Sequence, residues 1–388
     1  MSVEPEGRPP AADGHVAVCG GGLVGASLAL ALLAAGREVR VHDADPEVRA
    51  VLRASVTPQV THDWVEAASG ASVVVAAVPP PVIPGVLAEA AAVSSPSALL
   101  TDVAGVKQAV VEQVSAALAS HPGAFERYVG GHPMAGSERS GPLAADAELF
   151  SGATWVLTPT ARTDDDALAR AGDLVRSLGA RVLVLPPDQH DTIVGLVSHL
   201  PQLVASVLAD VAAESVGPQR EAVMAVAGPG FRDTTRIAAS DADLWLHIID
   251  GNRPAVVAAL AAFEARLAIV RGAVVDRDDA TLATVLRRAS EARRRLLPKG
   301  IDEPTRYLLV PLRDRPGEIA RITGALGTAG INIEDLAMRH ASAADRGSLL
   351  LRIRADATTR ALEVLGAADV EGVTIEADPS TVGPAAGA

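Results

Sequence analysis

HVAVCGGGLVG, residues 15–25, joins a short apolar run to a glycine-rich turn, and the helical pattern ASLALALLAAG follows at residues 26–36. A strand, a glycine turn and a helix in this order are typical of a βαβ unit that binds a dinucleotide. Gly20 permits a tight turn, and Gly22 lets the backbone approach a pyrophosphate at the positive end of the helix. Gly25 lets helix and strand pack closely. The stretch therefore predicts a Rossmann-like domain.

A second strand, EVRVH at residues 38–42, ends at Asp43. Asp43 follows the glycines by about 20 residues, the spacing expected for the acid that binds the adenine ribose. A carboxylate here would repel the 2′-phosphate of NADP, so NAD is the predicted cofactor. The alternative is a glycine turn followed by an acid by chance. The residues predicted to bind the cofactor lie in the turn, after the second strand and in two later loops: Gly20, Gly22, Leu23, Val24, Gly25, Asp43, Val78, Pro79 and Gly105.

Strand and helix patterns alternate through the rest of this region, which we bound at residues 14–186. Alternation of this kind predicts a parallel, doubly wound α/β sheet. The predicted strands are 72–77, 99–101, 155–158 and 181–185, and the predicted helices are 82–92, 106–118 and 164–178. The loops 78–80 and 102–107 are expected to line the cofactor crevice.

Composition restricts the class of protein. A chain of 388 residues predicts two or three domains, and its net charge of −13 argues against a general nucleic-acid or anionic-membrane surface. The single Cys19 excludes an internal disulfide and a cysteine-rich zinc site, as expected in a reducing cytoplasm. Residues 1–13 lack an apolar run and predict a disordered tail, not a signal peptide.

From Asp188 to about Pro298 the pattern is helical, and we assign residues 187–299 to an all-α domain. Its predicted helices are 188–199, 202–214, 220–226, 244–249, 254–275 and 280–297. The most apolar helix, 254–275, is broken by charged residues, so we expect a buried helix and not a membrane span. Apolar helical faces of this extent predict a homodimer.

The stretch GGHPMAGSERSG, residues 130–141, is the strongest candidate for a catalytic site. Pro133 biases His132 towards an extended backbone, and the flanking glycines allow a tight turn after a strand. We expect this turn to present the His132 imidazole. An ordinary structural turn is the alternative interpretation.

Polar residues interrupt the apolar helices of the second domain. His190 and His199 are nine residues apart, which places them on opposite faces of a continuous helix, so no shared metal is expected. Pro201 removes a helix hydrogen bond and predicts a distortion near His199, which otherwise fits a core histidine. Arg236 lies three residues after Asp233; the pair fits a carboxylate-binding site or a surface ion pair.

Four motifs occur in one order: the glycine turn with Asp43, GGHPMAGSERSG, SHLPQ, and PGFRDTTRIAASDADLW from Pro229. Together they resemble the prephenate/arogenate dehydrogenase family over roughly residues 14–299. The resemblance implies NAD-dependent oxidative decarboxylation of prephenate to 4-hydroxyphenylpyruvate in tyrosine biosynthesis, by a Rossmann-like domain followed by a helical dimerisation domain.

The resemblance also implies roles for individual residues. His132 matches the catalytic histidine, and His199 a second active-site histidine. The residues matching substrate-binding positions are Arg236, the acids Asp233 and Glu138 that form an ionic network with it, and the nearby Trp245. One departure is Gly105, which stands where the family commonly has a serine that orients the catalytic histidine. A water or another hydroxyl, such as that of Ser137, replaces the serine, or His132 is held less tightly.

The C-terminal region, residues 304–378, has a different pattern. Strands at 306–312, 332–339, 348–355 and 373–377 and helices at 317–328 and 358–367 give the order βαββαβ, a ferredoxin-like unit. The segments 314–317 and 330–333 resemble the ACT domain, which implies feedback by tyrosine or a related amino acid. The alternative is a dimerising module that has lost its ligand.

The sequence is also compatible with two other functions. An arogenate dehydrogenase differs only in whether the substrate side chain carries an amine or a ketone. A non-catalytic amino-acid sensor that retains NAD as a structural element would explain Gly105, although His132, His199, Asp233 and Arg236 all stand at matching positions. We expect the prephenate reaction.

Overall fold

The computed structural model describes residues 14–57, 59–135, 141–214, 226–296, 305–312, 315, 317–340 and 347–376. The chain separates into two compact units, Met1–Ala268 and Ile269–Ala388. The predicted disordered tail, residues 1–13, lies outside the described residues.

The first unit is built on a seven-stranded sheet with the order β2-β1-β3-β4-β5-β6-β7. Its strands are β1 Val16–Cys19, β2 Val39–His42, β3 Val73–Ala76, β4 Leu99–Asp102, β5 Tyr128–Pro133, β6 Thr154–Thr158 and β7 Arg181–Val184. Val16 and Val18 pack into the core on one face of the sheet, and Ala17 and Cys19 into the core on the other. Both faces are covered, which explains why the strands read as continuous apolar runs.

Helices connect these strands: α1 Leu23–Ala34, α2 Pro46–Ser55, α3 Trp64–Ala68, α4 Ile83–Val93, α5 Gln108–Ala117 and α6 Asp165–Ser177. The sequence did not predict α2 and α3. The side chains of Asp45 and Asp63 cap them by accepting hydrogen bonds from the Glu47 and Glu66 amides.

The prediction of a wholly parallel sheet is wrong. The pairings from β2 to β5 are parallel, but β5 and β6 pair antiparallel. Two neighbouring parallel strands need a crossover connection that carries the chain back to the end of the sheet where the first strand began. The described parts of the connection 134–153 contain a short helical turn, Pro142–Ala144, and further turns at 147–152, but no α-helix.

The helical region that follows contains α7 Pro187–Val194, a π-helical turn Gly195–His199, α8 Leu200–Glu214, α9 Pro229–Thr235, α10 Ala242–Gly251 and α11 Arg253–Asp276. The boundary between the two units falls within α11, after Ala268. The predicted distortion before Pro201 is therefore confirmed. Of the predicted helix 220–226, residues 220–225 lie outside the described residues.

Two apolar stretches of this region behave differently from a buried core. The stretch Pro187–Glu214 is long and apolar enough to cross a membrane on length and composition alone. However, its polar residues His190 and Asp191 are buried and hydrogen-bonded to the sheet domain. The expectation that 254–275 is buried is wrong for the single chain, because residues such as Leu267 are exposed.

The second unit contains the remaining helix of the all-α region, α12 Asp279–Leu296, and a four-stranded antiparallel sheet. Its elements are β8 Thr305–Pro311, α13 Glu318–Thr328, β9 Asp335–His340, β10 Gly347–Arg354, α14 Thr358–Ala367 and β11 Thr374–Glu376. The strand order is β11-β8-β10-β9. The βαββαβ order predicted from the sequence is thus confirmed, while residues 314 and 316 of the ACT-like loop lie outside the described residues.

Candidate active site

The glycines of the turn differ in whether the protein's own backbone or open space lies beside them. Gly20 has φ +111°, and a Cβ there would lie 2.2 Å from the Ala77 carbonyl oxygen. A Cβ at Gly25 would lie 2.0 Å from the Gly20 carbonyl oxygen. Both positions are closed by the protein's own backbone. A Cβ at Gly22, by contrast, would meet nothing within 4 Å. The open space at the N-terminus of α1 fits a pyrophosphate.

Asp43 follows β2 and lies against the same turn. Its Oδ2 accepts a hydrogen bond from the Gly21 amide at 2.7 Å, and its Oδ1 accepts one from the Asp45 amide at 2.9 Å. A carboxylate so fixed fits a ribose diol and disfavours a 2′-phosphate. Leu23, Val24 and Val78 are half-buried around the turn and the loop after β3, and Pro79 is exposed.

His132 lies in strand β5, not in the turn predicted after it. Its Nδ1 is 2.8 Å from Nε2 of His190, and the two rings meet edge to face with centroids 5.0 Å apart. On the other side of the ring stands Gly105, where a Cβ would lie 3.6 Å from His132 Nε2. The imidazole is therefore held at Nδ1, and the Gly105 side of its Nε2 carries no side chain.

His190 is the site residue that sequence reasoning missed. It is buried, and its Nδ1 is 2.8 Å from Oδ1 of Asp191. On one continuous helix His190 and His199 would lie on opposite faces. The π-helical turn that ends at His199 changes the angle between their side chains around the helix axis. The adjacent His190-Asp191 pair within an apolar helix was the available signal.

Asp191 also joins α7 to α5. Its Oδ1 accepts the Lys107 amide at 2.8 Å, and its Oδ2 accepts the Gln108 amide at 2.9 Å. These amides lie at the N-terminus of α5, so a carboxylate distant in the chain caps this helix.

Asp102 and Lys107 do not line the crevice as predicted. They form a fully buried ion pair behind β5, in which Lys107 Nζ also donates to the Gly131 carbonyl at 2.6 Å. The Tyr128 hydroxyl donates to Asp102 Oδ2 at 2.7 Å. Buried charges require partners of this kind. The pair fixes the loop that carries Gly105 against the strand that carries His132.

Burial lowers the pKa of His132 well below its usual value of 6.5, and the charges of Lys107, His190 and His199 act in the same direction. Desolvation and nearby positive charge both disfavour an imidazolium. His132 is consequently a neutral hydrogen-bond acceptor at physiological pH.

His199 lies beside this cluster. It is buried, its Nδ1 is 3.3 Å from Asn252 Nδ2, and the Asn252 amide also donates to the Asp191 carbonyl at 2.7 Å. Burial lowers the pKa of His199, although Asp191 opposes the shift. The Trp245 ring meets His199 edge to face, with centroids 6.0 Å apart. The structure thus brings these predicted residues together.

Arg236 and Asp233 are exposed, and the ion pair considered for them is not formed in the described part of the chain. Arg236 begins a short turn after α9, and Gln202 on α8 holds that turn by donating to the Ile237 carbonyl at 2.9 Å. Ser137 and Glu138 lie outside the described residues. Among the residues that are described, no group of three or more His, Cys, Asp or Glu side chains could hold a metal ion.

A dinucleotide turn and a neutral, half-buried histidine, both at the carboxyl ends of parallel strands, define the class of nicotinamide-dependent dehydrogenases. Comparison with known proteins narrows the class. The family model for the prephenate dehydrogenase nucleotide-binding domain matches residues 28–184, and that for the prephenate dehydrogenase dimerization domain matches residues 186–288. The chain belongs to the prephenate dehydrogenase family.

Individual relatives support the membership of this family. The cyclohexadienyl dehydrogenase of Zymomonas mobilis is 33% identical over 72% of this chain and 94% of its own length. The prephenate dehydrogenase of Bacillus subtilis is 29% identical over 94% of this chain and 98% of its own length. The crystal structure of Aquifex aeolicus prephenate dehydrogenase with hydroxyphenyl propionate and NAD+ is 27% identical, with a TM-score of 0.67 over 74% of this chain and 99% of that chain.

Proposed function

We propose that this protein oxidatively decarboxylates prephenate to 4-hydroxyphenylpyruvate with NAD, as a step of tyrosine biosynthesis. The observation that carries the proposal is the neutral His132, whose Nδ1 contacts His190. It lies at the same end of the strands as the glycine turn, in which only Gly22 has open space for a Cβ. Gly22 is the glycine expected to face a pyrophosphate. The chain is an NAD-dependent oxidoreductase, and the relatives named above are prephenate or cyclohexadienyl dehydrogenases.

His132 Nε2 accepts the proton of the substrate ring hydroxyl while the carbon that bears this hydroxyl loses hydride. When bound, NAD supplies the hydride acceptor. The bond between the ring and its carboxylate then breaks, carbon dioxide leaves, and the electron pair of that bond completes the aromatic ring. The protonated His132 returns its proton to the phenolate oxygen. A positioned acid or base of this kind contributes about 10²- to 10⁴-fold.

The remaining site residues take roles around this step. Arg236 binds a substrate carboxylate through its forked guanidinium. Glu138 and Asp233 are the acids of its network, and since Asp233 is not paired with Arg236 in the described structure, that pair forms only with the substrate bound. His199, Ser137 and Trp245 complete the substrate pocket. Asp43 binds the adenine ribose, and the loop residues Val78, Pro79 and Gly105 contact the cofactor.

The direct test is the formation of NADH and carbon dioxide after mixing the purified protein and NAD with prephenate, and separately with arogenate. NADH from prephenate supports the proposal. If NADH forms with arogenate and not with prephenate, the protein is an arogenate dehydrogenase. Protein that binds NAD and is silent with both substrates is the non-catalytic sensor.

The proposal extends to the organisation of the chain. We assign residues 14–186 to the NAD-binding domain, 187–299 to a helical domain that forms a homodimer, and 304–378 to an ACT domain, in a cytoplasmic enzyme. The match to the Bacillus subtilis relative spans 94% of this chain and so includes most of the C-terminal region. If that domain senses the end product, tyrosine lowers the rate of NADH formation by the full chain. An unchanged rate at saturating tyrosine contradicts this regulation.

A further inference from the structure

His190 lies between the proposed proton acceptor and a carboxylate. Its Nε2 is 2.8 Å from His132 Nδ1, its Nδ1 is 2.8 Å from Asp191 Oδ1, and only 1% of its surface is exposed. Both ring nitrogens of His190 are thus used inside the protein. Neither is available to a substrate.

Asp191 determines which atoms donate in the row of hydrogen bonds from Asp191 through His190 to His132. Its carboxylate accepts the Lys107 and Gln108 amides, which are obligatory donors. An ionised carboxylate only accepts, so Nδ1 of His190 carries a proton, and in the neutral ring Nε2 then carries a lone pair. That lone pair requires a proton on His132 Nδ1, because two lone pairs 2.8 Å apart would repel. These proton positions are assigned from the hydrogen-bond network.

We infer that His190 and Asp191 form a positioning pair that fixes His132 in the tautomer with its lone pair on Nε2, the atom facing Gly105. Gly105 presents no side chain to that atom. Orientation from behind is consequently the means by which the described residues hold the acceptor ready. The inference rests on the proposed function only for its kinetic consequence; the tautomer is a property of the protein without substrate.

The kinetic test compares two substitutions at one position. His190→Leu removes the acceptor for His132 Nδ1–H, whereas His190→Gln places an amide oxygen near the former Nε2. We expect His190→Leu to lower kcat about 10²-fold, with the KM for prephenate and the Kd for NAD changed less than about threefold. His190→Gln is expected to recover at least about tenfold of that loss.

A merely structural role for His190 would affect both variants according to their stability and would move KM and the Kd for NAD as well. Equal kcat values for His190→Leu and the wild type, or no recovery in His190→Gln at matched stability, overturn the inference.

A spectroscopic test needs no substrate and no variant at His190. In ¹⁵N-labelled wild-type protein, the histidine nitrogen shifts report which ring nitrogen of His132 carries the proton, and His132→Asn identifies its signals by their loss. We expect the proton at Nδ1. A proton at Nε2 overturns the inference and the assignment of Nε2 as the proton acceptor, and leaves the overall reaction to the NADH assay. Silence in the NADH assay with the proton at Nδ1 contradicts the reaction and leaves the positioning pair in place.

Discussion

At the scale of single residues, the neighbours of His132 decide what its imidazole can do. Burial and the Lys107 ammonium oppose protonation, and His190 occupies Nδ1. The sequence indicated His132 because Pro133 and the flanking glycines favour a backbone that presents its imidazole, in a stretch that matches a family motif. It did not indicate the contact with His190, since that contact joins residues 58 positions apart.

The lowered pKa of His132 gives a pH prediction. A neutral acceptor is lost only when it protonates, so a pKa below the usual 6.5 moves the acid limb of the activity to lower pH. We expect kcat/KM for prephenate to stay level as the pH falls through about 6.5 and to decline only below it. Circular dichroism at each pH separates this decline from unfolding. A half-maximal point at or above pH 6.5 contradicts a lowered pKa for the His132 imidazole.

At the scale of elements, the patterns that the sequence carries locally were predicted well. The predicted bounds of β1, β2 and β4 are within one residue of those in the structure. Strand direction is not a local property, which is why the antiparallel β6 was missed. The capping of α5 by Asp191 was also out of reach, because its donor and acceptor are 84 residues apart.

The glycine turn provides a matched pair of substitutions. Gly22→Ala adds a methyl group to open space, and Gly22 has φ −65°, which alanine adopts readily. We expect a free energy of unfolding within about 0.5 kcal/mol of wild type and a Kd for NAD raised about tenfold or more. Gly25→Ala places the same methyl 2.0 Å from a carbonyl oxygen. It should lower the free energy of unfolding by about 1–3 kcal/mol.

Urea denaturation and NAD titration of the two variants give both quantities. If Gly22→Ala bound NAD as tightly as wild type, the pyrophosphate would not lie at this position.

At the scale of the whole molecule, apolar helix surface is left uncovered in the single chain. Val207 and Val211 on α8 are 61% and 54% exposed, and Phe263 and Leu267 on α11 are 37% and 54% exposed. Each pair is spaced four residues apart and so lies on one helix face. The sequence predicted this apolarity, a buried α11 and a homodimer that covers apolar helical faces. A single chain cannot bury such a surface, which explains the difference if the chain is a dimer.

Leu267→Glu tests the proposed dimer. A carboxylate in an apolar interface is costly, so we expect the dimer dissociation constant to rise at least about 30-fold, equivalent to about 2 kcal/mol. Ala265→Glu adds the same charge on the opposite side of α11, at another exposed position, and serves as the control. Sedimentation equilibrium measures both. A monomeric wild-type protein, or equal dissociation constants for both variants, contradicts an interface on this face.

His132→Asn tests whether His132 takes the substrate proton. The measurement is the steady-state release of NADH from prephenate by this variant, in protein that binds NAD as the wild type does. We predict a kcat lower by at least about 10²-fold with a nearly unchanged KM, because the proton acceptor is lost while the binding groups remain. A variant that retained the wild-type kcat would show that another group accepts the proton.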